Sequence, residues 1–136
     1  MKIAAIGAWH VHTMEYAQAI QKNPKAQLCC LWDDDPARGQ ETAQKLGIPF
    51  QPDLEAIWAD PSIEGIQVTT ATSQHTSVLL AAAKAKKHIF TEKVLAFSNE
   101  EAEEIAAAVR VSGVKVTISY PHKTWPALKA AKTLAQ

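Results

Sequence analysis

A chain of 136 residues has room for one domain with a real core and no room for two. Fourteen basic residues balance fourteen acidic ones, giving formal net charge +0, so no basic stripe points to nucleic acid or to an anionic membrane, and a small-molecule partner is expected. The start "MKIAAIGAWH" is too short and too interrupted for a signal peptide or a membrane span of ~20 apolar residues, and the cytoplasm is the expected location.

In chain order, short apolar runs alternate with helical patterns. "KIAAI" (2–6) is a strand that stops at Gly7, and "VHTMEYAQAIQK" (11–22) is a helix. "AQLCCLW" (26–32) is the second strand; it contains Cys29 and Cys30, expected to be buried free thiols, because neighbours on a strand point to opposite faces. "PARGQETAQKLG" (36–47) is a helix with Asp35 as cap, Pro36 in the first turn and Gly47 as left-handed terminator. "IPF" (48–50) and "DLEAIWAD" (53–60) form a short third strand and helix. "GIQVTT" (65–70), "SQHTSVLLAAAKA" (73–85) and "KHIFTE" (87–92) follow as strand, helix and strand.

"SNEEAEEIAAAVRVSG" (98–113) is a helix opened by a Ser98/Glu101 capping box and closed by Gly113; Ala102, Ile105, Ala106 and Val109 mark its apolar face. Its glutamates Glu100, Glu101, Glu103 and Glu104 are a solvated face. "VKVTIS" (114–119) is a strand, and "WPALKAAKTLAQ" (125–136) begins a new helix, with Thr124 as its cap. A helix that short is marginal alone. The strands read as buried on both faces, and each pair is joined by a helix long enough for a crossover, so the fold is α/β: a doubly wound parallel sheet in the order 3-2-1-4-5-6.

The first strand-to-helix turn frames the functional question. A dinucleotide fingerprint G-x-G-x-x-G would fall on Gly7, Trp9 and His12, so only its first glycine is present. With Trp9 outward, the backbone around Ala8, His10, Val11 and His12 can meet a diphosphate at the helix start; with Trp9 inward, the turn is blocked. Asp33 ends the second strand, 26 positions after Gly7, where an acid can accept ribose hydroxyls, and Asp34 beside it would repel a 2′-phosphate. NAD is favoured over NADP. His10, His12 and His75 raise a metal reading, but an i, i+2 pair is not expected to bring both rings together and no other ligand has a familiar spacing, so none is expected.

Taken together, "IGAWHVH", "WDDDP", "TTATSQH", "TEKVLA" and "YPHKTWPALKAAK" resemble the glucose-fructose oxidoreductase and inositol dehydrogenase family, Gfo/Idh/MocA, in order along nearly the whole chain. The resemblance implies a dinucleotide-binding Rossmann domain over 1–120, and a linker and first helix over 121–136 that lead to an α+β substrate domain outside this chain. That second domain would also build an oligomer. It implies an oxidoreductase acting on sugars, polyols and related compounds, with NAD as cofactor. Lys93 takes the place of the lysine of the family's E-K-P motif, beside the nicotinamide and the reacting hydroxyl; Glu92 sets its loop. Thr70 and Thr72 would meet the middle of the cofactor, and His75 would cap or line that loop. Tyr120, His122 and Lys123 would face the nicotinamide side.

Two family prolines are replaced, by Ala71 and Val94, which implies less rigid loops. No aspartate follows Lys93 and His122 is the only later histidine, so the family's acid and base would come from the second domain and this chain alone is expected to give no turnover. Two other readings stay open: a nucleotide-binding module that senses without reacting, and an interaction domain that has lost its cofactor.

Overall fold

The alternation of apolar runs produces five parallel strands, β1 (Lys2–Ile6), β2 (Gln27–Trp32), β3 (Gly65–Val68), β4 (His88–Thr91) and β5 (Val116–Ile118), in the spatial order β2-β1-β3-β4-β5. This computed structural model describes residues 1–135, apart from the side chain of Thr124. Six α-helices connect and follow the strands: α1 (Thr13–Lys22), α2 (Pro36–Leu46), α3 (Leu54–Ala59), α4 (His75–Lys84), α5 (Asn99–Ser112) and α6 (Pro126–Leu134).

The sheet has a layer on each face. Ala5, Leu28 and Leu31 pack with Ala17 of α1 and Ala43 and Leu46 of α2; Ala4, Ile6, Ile66 and Val68 pack with Ile57, Leu79 and Ile105 of α3, α4 and α5. Two-sided burial holds fully for β3, whose four residues are all buried, whereas β5 at the edge has none. Lys87 ties the start of β4 to the segment between α3 and β3: its buried ammonium donates to the carbonyls of Asp60 (2.5 Å) and Ile63 (2.9 Å).

Local sequence signals account for the helix ends. The Asp35 side chain accepts from the amides of Ala37 and Arg38, and Gly47 closes α2 at φ 66°. Ser98 and Glu101 form the reciprocal capping box of α5. Asp53 caps α3 by accepting from Glu55 N.

The sequence reading needs four corrections. The strand expected at 48–50 is a single bridge, Leu31 to Phe50, because Pro49 has no amide to extend a ladder; counted as a third strand, it restores the expected order. The first helix begins at Thr13 rather than Val11, the turn after Gly7 occupying the residues between. Cys29 and Cys30 are free but only half-buried, and they do not point to opposite faces. The N-cap of α6 is Trp125, with Pro126 in its first turn; the expected cap Thr124 lies outside the described side chains. The residues of α6 are exposed throughout.

Candidate functional site

The order in which the chain adds strands reverses between β1 and β3, and groups singled out by sequence lie at the carboxyl ends there. Gly7 sits at φ +89°, and a Cβ on it would lie 2.6 Å from Thr70 N, so only glycine lets the first turn press against the segment after β3. Gly7 N donates to Trp32 O (2.7 Å), and Thr69 Oγ1 donates to Gly7 O (2.7 Å). Trp9 is 56% exposed, standing out from the turn. The amides of Ala8, His10 and His12 donate to Asp33 Oδ2, Thr69 O and His10 Nδ1 respectively. Trp9 and Val11 therefore carry the turn's amides still available to a phosphate.

Beside this turn, Asp33 does not stand free as a lone acceptor. Its side chain is fully buried and takes four donors: Ala8 N (2.5 Å) and Arg38 Nε (3.2 Å) on Oδ2, Asp35 N (2.7 Å) and Arg38 Nη2 (2.5 Å) on Oδ1. The same Nη2 reaches Asp34 Oδ1 at 2.6 Å, and Gln74 Nε2 donates to Asp34 Oδ2 at 2.8 Å. Asp34, 45% exposed, is the carboxylate that faces solvent. The sequence reading missed Arg38 and Gln74. Five positions after Asp33, on the first turn of a capped helix, Arg38 was placed by spacing to fold back on the strand end.

Against the Gly7 turn and at the start of α4 lie buried polar atoms without protein partners: Thr70 Oγ1, Gln74 Oε1 and His75 Nε2. Buried hydroxyls are almost always hydrogen-bonded, so orphaned atoms beside a glycine turn fit a bound polar ligand. Thr72 sits in a 3₁₀ turn (Thr72–Gln74) leading into α4. His75 is buried, its Nδ1 2.7 Å from Val94 O, and so ties the loop after β3 to the loop after β4.

The third part of the site surrounds Glu92, whose side chain is 1% exposed. Oε1 accepts from His12 Nδ1 (2.8 Å) and from the Tyr16 hydroxyl; Oε2 accepts from Lys93 N (3.0 Å) and Lys93 Nζ (3.2 Å). Tyr16 also meets Ser119 Oγ at 2.7 Å. Burial alone would raise the Glu92 pKa, but the bonds from Tyr16, His12 and Lys93 outweigh it and hold the carboxyl at about 2. Burial and the bond to Glu92 push the Tyr16 phenol up to about 12. Burial lowers His10 below the usual imidazole value. Tyr16 went unnoticed in sequence, although it lies one helical turn after His12 on the same face of α1.

His10 and His12 do come together, contrary to the expectation from their spacing: their ring centroids are 4.9 Å apart, because the turn is not yet helical. With Glu92 they form a group able to hold a metal, but His75 is not part of it. Lys93 on Glu92 makes a hydrogen-bonded network the simpler account of the same geometry. His12, Glu92, Lys93, Tyr120, Pro121, His122 and Lys123 line one cavity of about 190 Å³. The substrate-side candidates Tyr120, His122 and Lys123 are thus gathered beside Lys93, with the Lys123 ammonium 4.6 Å from the Tyr120 ring centroid.

Among the described residues, no helix is long and apolar enough to cross a membrane. Known proteins share this sequence pattern and fold. An uncharacterized oxidoreductase of Bacillus subtilis is 31% identical over 96% of this chain and 38% of its own length. The scyllo-inositol 2-dehydrogenase (NAD(+)) of the same organism is 29% identical over 97% of this chain and 39% of its own. A solved NAD binding oxidoreductase from Klebsiella pneumoniae superposes with TM-score 0.85 at 28% identity, over 99% of this chain and 38% of that one. The chain thus spans about two fifths of the length of these relatives. Residues 1–120 match the family described as "Oxidoreductase family, NAD-binding Rossmann fold", and the chain belongs to that family, Gfo/Idh/MocA.

Proposed function

We propose that residues 1–120 bind NAD(H) across the strand carboxyl ends as the cofactor domain of an oxidoreductase. Residues 121–136 would lead into a substrate domain. The observation that carries the reading is the orphaned Thr70 hydroxyl, fully buried against the Gly7 turn, in a family whose fold binds NAD. The amides of Trp9 and Val11 at the start of α1 would take the diphosphate. Asp33 would hold the Ala8 amide and the Arg38 guanidinium in place around the adenosine ribose, with Asp34 placed to disfavour a 2′-phosphate. Thr70 and Thr72 would line the middle of the cofactor.

The bound nicotinamide would supply hydride acceptance or donation. Lys93 would hold the reacting oxygen, its side chain 46% exposed at the cavity wall and its ammonium kept in place by Glu92. That positive charge stabilises oxygen as negative charge grows on it. His12 and Tyr16 keep Glu92 ionised, and Glu92 keeps Lys93 oriented by accepting from its amide and its ammonium. Tyr120, His122 and Lys123 would border the substrate. The names of relatives such as scyllo-inositol 2-dehydrogenase favour a hydroxyl or carbonyl of a sugar or polyol. Free thiols at Cys29 and Cys30 suit a reducing compartment, and we place the protein in the cytoplasm.

Calorimetric titration with NADH and NADPH in one buffer tests the reading. Binding of NADH in the micromolar range, with NADPH much weaker, is the expected result. No heat from either nucleotide in a folded sample would refute it and favour an interaction domain.

A further inference from the structure

The cysteine pair in β2 is a site in its own right, separate from the carboxyl-end residues. On a regular strand, neighbouring side chains alternate between faces. Here Leu28 and Leu31 pack with the α1/α2 layer, while Cys29, Cys30 and Trp32 all pack with the α3–α5 layer. The register explains it: Ile3 pairs with Leu28 but Ala4 pairs with Cys30, so Cys29 is the extra residue of a β-bulge. The bulge turns both thiols to one face, with Sγ atoms 3.8 Å apart. Both are free and neither is fully buried.

Two features suit this pair to capture rather than to self-oxidation. Adjacent Cα atoms across a trans peptide are ~3.8 Å apart, below the ~4.4 Å that disulfides ordinarily need, so closing the pair on itself would be strained. Sharing one proton lowers the first ionisation of the pair, to about 7 at Cys29, and raises that of Cys30. A thiolate is therefore present near neutral pH, with Lys2 as a nearby positive charge. Soft thiolate donors select soft, thiophilic centres over hard cations.

We infer that Cys29 and Cys30 form a two-thiol capture site for trivalent arsenic. An organoarsenic(III) oxide would form two As–S bonds, one to each sulfur, while the arsenic–oxygen bond breaks. The oxygen leaves as water with both thiol protons, and neither arsenic nor sulfur changes oxidation state.

Phenylarsine oxide, added to the reduced chain without oxygen, is the probe. One arsenical per chain is expected, with both thiols lost to titration, resistance to excess glutathione and release by a small dithiol. Cys29→Ser and Cys30→Ser should each lower affinity by ~100-fold, because the second bond is intramolecular in the parent. Circular dichroism of both variants would show the fold retained. Adjacent cysteines can also bind in an unfolded chain, so affinity should be higher in buffer than in denaturing urea. Two arsenicals per chain, a serine variant that holds the probe as well as the parent, or tighter capture in urea would each overturn the inference.

Discussion

At the scale of the residue, the proposed ribose site is governed by how Arg38 divides its donors between Asp33 and Asp34. Removing the charge from a fully buried carboxylate leaves its donors uncompensated, so Asp33→Asn should lower unfolding free energy by about 3 kcal/mol in urea denaturation. Asp34→Ala acts differently, since Asp34 is exposed and its loss removes a negative charge and frees one N–H of Arg38 Nη2 to meet a 2′-phosphate. Its expected outcome is NADPH affinity raised by ~10-fold with NADH little changed, read by calorimetry. An unchanged NADPH affinity would count against the proposed ribose site. At the other end, Glu92 is held at about 2, below the ordinary ~4.3. Its contribution to stability is therefore present above pH ~4.3 and is lost as pH falls towards 2. Tyr16, held at about 12 against an ordinary ~10, contributes below pH ~10 and loses that contribution as pH rises towards 12. Urea midpoints across pH should show Glu92→Gln flattening the acid limb and Tyr16→Phe flattening the alkaline one.

At the scale of the element, close packing of α2 on β2 sets the same site. A Cβ on Gly39 would meet the Phe50 ring at 2.4 Å and Asp33 Cβ at 2.8 Å, so Gly39→Ala must push the helix outward. A loss of ~1–3 kcal/mol is expected from such overpacking. The displacement would also move Arg38, so NADH affinity should fall with stability; a variant that is destabilised yet binds NADH normally would separate α2 from the site. Ser98→Ala removes half of the α5 capping box, whose residues make no hydrogen bond with the proposed cofactor residues, and should cost about 1 kcal/mol with cofactor binding intact. The strand elements carry a comparable lesson. The extra residue in β2 reverses the facing of every side chain on one side of it relative to the other, which is why Cys29 and Cys30 share a face.

At the scale of the whole molecule, the sheet and its five packed helices form one unit, while α6 adds exposed residues beyond it. A chain shortened to residues 1–124 should keep the urea midpoint of the parent, because α6 buries nothing against the sheet; a clear drop would show that the helix is part of the domain. The alternation of apolar runs and helical patterns, with Asp35, Gly47, Ser98 and Gly113 at the boundaries, sufficed for the parallel order and the helix ends, because period and capping act through neighbours a few residues apart. The glycine turn, Asp33 and Lys93 were legible as site positions for the same reason: each sits at the end of a strand that local pattern defines. The tertiary structure alone decided that Asp33 is saturated by Arg38 and the amides of Ala8 and Asp35, that His10 and His12 meet at Glu92, that Tyr16 and Ser119 complete that network, and that two neighbouring thiols face one way. Those outcomes depend on contacts between residues up to 103 positions apart and on one bulge, and the free energies of such contacts are set by burial and register, which no local window of the chain contains.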